Sequence, residues 1–177
     1  MSSLEEQFVS GEEVYRGAFL RVHRDLARLP DGSEALREYV RHPGAVAVVA
    51  LTATGDVVLE RQHRYALRRN FIEIPAGKLE PGEPPLDTGK RELLEETGYV
   101  AATWTRLGLI HNAIGYSDEA IELWLATGLE QHETKLDQGE FLEVFTLPFA
   151  EAFAMAADGR ISDVKTIIGL YWASARR

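Results

Sequence analysis

Apolar and polar positions alternate or cluster in short runs along this chain, punctuated by glycine and proline. From Glu13 to Leu29 the alternation is partial, with Phe19, Arg21 and His23 set against Leu20 and Val22. It ends on Leu29-Pro30-Asp31-Gly32, a turn signal. Ala35 to His42 reads as the returning strand of that hairpin. Pro43-Gly44 breaks the chain before AVAVVALTA, an apolar run of strand length, which a turn at Thr54-Gly55-Asp56 joins to the strand VVLERQ. Phe71-Ile72-Glu73-Ile74 is a short strand that delivers the chain into Pro75-Ala76-Gly77. Later strands are expected over Thr103 to His111, Ala120 to Ala126 and Phe141 to Thr146. Helices are expected over Phe149 to Ala157 and over Asp163 to Ala175, the second with Ser162 as N-cap. The order predicts an α/β fold, a mixed sheet with helices on both faces. Strands within residues 1–43 precede a single structural unit over 44–177.

Between Gly77 and Tyr99 the chain reads GKLEPGEPPLDTGKRELLEETGY, a Gly- and Pro-bearing turn running into a helix. Pro84 and Pro85 stand at its start, where a missing N–H costs nothing, and Gly98 follows it, where a left-handed cap favours glycine. Glu92, Glu95 and Glu96 share one helical face. Like charges so placed cost roughly 0.2–0.5 kcal/mol per pair, with no return unless a cation sits among them. All-oxygen ligation of this kind suits a hard divalent ion such as Mg²⁺ or Mn²⁺. Arg91 lies four residues before Glu95 and can brace the cluster, an orienting role. Gly89 is unexpected within a helix, costing about 1 kcal/mol relative to alanine, and close approach of another backbone is the expected compensation.

This stretch resembles the Nudix box: Gly77, Glu83, Arg91, Glu92, Leu93, Glu95, Glu96 and Gly98 all fall on the family's specified positions. Only the last position departs, where Tyr99 replaces the usual aliphatic residue. The resemblance implies an α/β/α sandwich with a mixed sheet, here with a short N-terminal β-hairpin extension. It also implies metal-dependent hydrolysis of a diphosphate. Carried over to this chain, the metal ligands are Glu92 and Glu96, with Glu95 close by and the main-chain carbonyl of Ala76 adding a neutral oxygen. Glu83 would orient the glutamates or a water.

Composition narrows the field without choosing a substrate. At 177 residues and 45% hydrophobic, the chain can bury a real core. A formal charge of −9 argues against a nucleic-acid module and means that an anionic substrate must meet local cations. With no cysteine there is neither a disulfide nor a zinc–thiolate site. No secretory pattern or membrane-length apolar run is visible, so the expectation is a cytoplasmic protein without membrane partners. The five histidines show no metal-ligand spacing.

Segments outside the box resemble the ADP-ribose pyrophosphatase branch: HPGAVAVVAL, Arg61-Gln62-His63-Arg64-Tyr65, Glu73 to Leu79, and Gly115-Tyr116-Ser117-Asp118-Glu119. The branch implies a loop carboxylate that activates the attacking water, which maps to Glu119 with Asp118 as its rival; Glu95 follows if neither serves. Arg64 and then Arg37 are the arginines expected at the diphosphate, while Arg61 fits a surface ion pair equally well. Ile114 stands where many ADP-ribose enzymes carry proline, which leaves related nucleoside diphosphate sugars open. The branch further implies a homodimer built through the N-terminal strands. Two alternatives remain at this stage, a Nudix hydrolase of dinucleoside polyphosphates or nucleoside triphosphates, and a non-enzymatic nucleotide sensor.

Overall fold

The computed structural model describes residues 4–134, 139 and 141–176. Two compact units emerge, one made of residues up to Pro43 together with Ala113–Ala120, the other of Gly44–Asn112 and Ile121–Arg177.

The first unit is an antiparallel sheet in the order β1 (Gln7–Arg16), β2 (Arg21–Arg28), β3 (Glu34–Arg41). The expected hairpin therefore has three strands. Gly17 is the reason: its N–H closes a tight turn onto the Leu20 carbonyl at 2.8 Å, splitting the Glu13–Leu29 stretch in two. Glycine also matters at position 11, where a Cβ would lie 2.0 Å from Asp25 Oδ1 on the paired strand. Asp25 in turn accepts a hydrogen bond from the Tyr39 hydroxyl at 3.0 Å, so one carboxylate ties β2 to β3 across the space glycine leaves. Residues 113–120 join this sheet through a parallel bridge between Val40 and Ser117. Phe8, Tyr15 and Leu36 are exposed on it.

The larger unit holds the remaining strands: β4 (Ala45–Ala50), β5 (Asp56–Arg64), β6 (Arg69–Glu73), β7 (Ala76–Lys78), β8 (Tyr99–Ile110), β9 (Ile121–Gln131) and β10 (Leu142–Pro148). Their helices are α1 (Pro85–Thr97), α2 (Phe149–Ala157) and α3 (Val164–Ser174). One sheet runs β7-β4-β9-β8, with β4 and β9 parallel; the other runs β10-β5-β6, antiparallel throughout. Among the described residues this is a mixed α/β arrangement with three helices, and no helix is long and apolar enough to cross a membrane.

β4 explains why AVAVVA is apolar without alternation. Val46, Val48 and Ala50 pack with Leu93 of α1, whereas Ala47 and Val49 pack with Leu170 of α3. A strand covered on both faces has no wet side to write polar residues on. Gly89 fits between these layers: a Cβ there would come 3.1 Å from Val46 Cγ1 and 3.5 Å from Val48 Cγ2. The close approach is thus to side chains of β4 and not to another backbone.

The starts of α3 and β8 differ from expectation. The N-cap of α3 is Asp163, whose Oδ2 accepts from Thr166 N at 3.0 Å and Thr166 Oγ1 at 2.6 Å. Ser162 instead receives Arg69 Nη2 at 3.3 Å. β8 starts at Tyr99, because Gly98, at φ 73°, ends α1 and turns the chain directly into the sheet.

Candidate active site

Helix α1 presents the acidic cluster because both of its ends are fixed. Pro84 is the N-cap in extended conformation and Pro85 the first helical residue; at the other end Gly98 N–H reaches Leu94 O at 2.9 Å. Arg91 gathers the carboxylates around itself. Its Nε and Nη2 donate to the two oxygens of Glu83, each at 3.0 Å, and its Nη1 donates to Glu92 at 2.8 Å and Glu95 at 3.0 Å. Nη2 also meets the Lys78 carbonyl at 3.3 Å, tying the helix to β7. Glu83 further accepts from Thr88 Oγ1 at 2.7 Å. These donors, Arg91 first, pull the Glu83 carboxyl down to about 2, and the surrounding acids raise the Arg91 guanidinium.

The other two places where α1 meets β7 involve glycine and a main-chain amide. A Cβ on Gly77 would lie 1.7 Å from Glu92 Oε1, so the carboxylate fills the room that only glycine leaves. Glu96 is buried and its Oε2 accepts from Ala76 N at 3.0 Å. Ala76, whose carbonyl is expected as a ligand, also meets the cluster through its N–H. Among the described residues no three His, Cys, Asp or Glu side chains already form a metal cage. The donor set nevertheless suits a hard cation: carboxylate oxygens only, with Glu92 seated in a cradle that a larger residue would close.

Behind this face lies a second, buried group that sequence reasoning missed. Glu73 accepts Arg64 Nε and Nη2 on its two oxygens, each at 2.7 Å, and also contacts Lys165 Nζ, which in turn pairs with Asp163 at 3.1 Å. Burial alone would raise the Glu73 carboxyl, but Arg64 and Lys165 outweigh it and hold it below its ordinary value. Glu60, opposite Glu73 in the β5–β6 register, shares a hydrogen bond with Glu96 and leaves Oε1 buried without a partner. Burial, and then the charge of Glu73, push Glu60 up to about 8. A charged residue closing the apolar run VVLE was a readable sign of Glu60. Nothing local marked Lys165, which comes from α3.

The remaining predicted residues are accounted for as follows. Arg64 is engaged with Glu73 through Nε and Nη2. Arg37, in the N-terminal unit, is paired with Glu6 at 2.6 and 2.8 Å. Arg61 meets Glu143 at 2.7 Å across β5 and β10. Asp118 Oδ1 accepts from the His42 main-chain N–H at 2.7 Å, and Glu119 Oε1 lies 3.6 Å from His42 Nε2.

Comparison with known proteins adds a family. The NUDIX domain model matches residues 41–167, and the model of the nucleoside diphosphate sugar hydrolase N-terminal domain matches residues 6–40. An ADP-ribose pyrophosphatase of Bacillus subtilis is 38% identical, with 97% of this chain and 94% of that protein aligned. A methanol dehydrogenase activator of Bacillus methanolicus is 40% identical over 95% and 92%. An ADP-ribose pyrophosphatase of Mycobacterium tuberculosis is 37% identical over 96% and 84%. The crystal structure of an ADP compounds hydrolase superposes with a TM-score of 0.86 over 99% of this chain and 96% of that one; at 21% identity this likeness concerns the fold.

Proposed function

The chain belongs to the Nudix hydrolase family, and on that premise we propose that it hydrolyses the diphosphate of ADP-ribose or a related nucleoside diphosphate sugar. The products would be AMP, or another nucleoside monophosphate, and a sugar phosphate. The observation that carries the reading is the Arg91 cluster, in which Glu83, Glu92 and Glu95 converge on one guanidinium beside Gly77. The match of residues 6–40 to the N-terminal domain of nucleoside diphosphate sugar hydrolases supports the substrate class.

Glu92 and Glu96, with Glu95, are the residues that would hold Mg²⁺ or Mn²⁺, and Glu83 and Arg91 orient them. A divalent cation there supplies neutralisation of phosphate oxygens and a more acidic water. Arg64, held on one edge by Glu73, offers its remaining Nη1 to a diphosphate, and Arg37 is the second arginine in that role. Glu119 takes the proton as water attacks one phosphorus, the bridging P–O bond breaks, and that oxygen leaves on the other phosphate. Exposed Phe8, Tyr15 and Leu36 on a three-stranded sheet support a homodimer through the N-terminal strands, since so open a sheet gains by being covered.

A substrate panel with Mg²⁺ and with Mn²⁺, read by product mass, tests the reading. ADP-ribose should yield AMP and ribose 5-phosphate without free phosphate. A strong preference for a triphosphate, with pyrophosphate released, would replace it.

A further inference from the structure

We propose that His42 is a positioning residue for Glu119, so that the end of the N-terminal sheet fixes where the base of this reaction sits. The inference rests on the assignment of Glu119 above, and every group in it belongs to the N-terminal unit.

Residues 113–120 are laced to the end of β3 by the main chain. Val40 N donates to Tyr116 O at 2.8 Å, and Asp118 N donates to Val40 O at 3.2 Å. Two adjacent carboxylates then face two parts of one histidine. Asp118 Oδ1 accepts the His42 main-chain N–H at 2.7 Å, while its Oδ2 stands 3.9 Å from Arg41 Nε. That carboxylate serves the backbone. Glu119 faces the imidazole: Oε1 lies 3.6 Å from Nε2, longer than a hydrogen bond. The Glu119 main-chain N–H is fixed separately by Ser117 Oγ at 3.2 Å.

His42 is well placed to hold a partner still. Its side chain is only 9% exposed, against 22% for Glu119 and 46% for Asp118. The Phe19 ring meets the imidazole edge-on, with centroids 5.4 Å apart and planes at 83°. The imidazole is therefore backed by an aromatic ring and stands beside one oxygen of Glu119. A base loop with two neighbouring acids needs a device that distinguishes them. In this loop the strand end occupies Asp118 through its backbone and orients Glu119 through its side chain.

The full-length protein with saturating Mg²⁺ and ADP-ribose tests this through a double-mutant cycle of His42→Leu and Glu119→Gln. His42→Leu keeps an apolar packing partner for Phe19 but removes the imidazole. It should lower kcat about 10-fold or more, as misplacement of a reacting group does, with KM and Mg²⁺ affinity unchanged. His42→Gln, whose amide can still donate, should recover to within about threefold of wild type. Added to Glu119→Gln, the His42→Leu change should cost nothing further. Should His42→Leu melt early, His42→Gln against His42→Phe carries the same comparison. Full activity of Glu119→Gln would remove the base assignment itself. If Glu119→Gln is crippled while His42→Leu stays within about twofold of wild type, or multiplies the Glu119→Gln loss, the base stands and the role of His42 is overturned.

Discussion

Two groups of carboxylates in the larger unit are each organised by an arginine, yet they sit in opposite surroundings. Around Arg91 four glutamates lie on or beside α1, and one guanidinium spreads its donors over the three that are partly open to water. Around Glu73 the ratio is reversed, with Arg64 and Lys165 converging on one buried carboxylate and Glu60 close by. The first group has more negative charge than its cation can satisfy and stays near solvent, as a place that accepts a further cation must. The second is close to balanced internally, with its carboxylates and Lys165 buried and only Arg64 reaching water, as suits an element that holds a shape. Glu96 belongs to both, since it stands on the helix face and shares a hydrogen bond with Glu60.

The sharpest test of this contrast is Glu73→Ala, which leaves the buried Lys165 with Asp163 alone and releases the bound edge of Arg64. Removing one member of a buried pair costs about 3–5 kcal/mol, to be read by urea unfolding at neutral pH. Arg91→Ala, measured alongside without metal, should cost clearly less, and equal losses would erase the distinction. Next in size is Glu96→Gln, expected to lower kcat by at least about 10²-fold, as loss of one strong electrostatic contributor does. Helix propensity is nearly unchanged by the exchange, so the melting temperature should hold. A variant within about threefold of wild type would remove Glu96 from the ligand set.

Two pH experiments refine the comparison further. Glu60 is raised in the folded state, so its contribution is complete below the ordinary carboxylate range and is lost as pH rises from there through about 8. Metal-free wild type should lose stability across that window by no more than about 1.4 kcal/mol per pH unit, and Glu60→Gln should flatten the slope. Glu83 is lowered, so its contribution is present above the ordinary range and lost as pH falls through about 2. This last effect is the smallest, because the group is near solvent. It should shrink in high salt, whereas the Glu60 slope should persist.

The same contrast governs how much could be read from the chain. The Arg91 cluster is local: Glu83, Arg91, Glu92, Glu95 and Glu96 lie within one turn and one helix, so spacing alone brings them together. The Glu73 group draws on β5, β6 and α3, and no window of sequence contains Glu60, Glu73 and Lys165 together. Element edges slipped for separate reasons. AVAVVA was legible as a strand because both its faces are apolar, but the split between β1 and β2 hangs on a single turn at Gly17. The N-cap of α3 fell to Asp163 once Arg69, remote in sequence, met Ser162.

The attachment of residues 113–120 to β3 has a consequence for how the polypeptide acquires its fold during synthesis. The β1, β2 and β3 ladder links near neighbours and can close early, within the microseconds typical of hairpins. The His42–Asp118 bond spans 76 positions, and the parallel pairing of β4 with β9 spans a similar stretch. Both must wait until β8 and the segment after it have left the ribosome. During that interval the edges of β3 and β4 are without their late partners, which makes the nascent chain most prone to aggregation while it is roughly two-thirds made. Slower translation after β3 would lengthen this vulnerable period, and faster translation through β9 would shorten it.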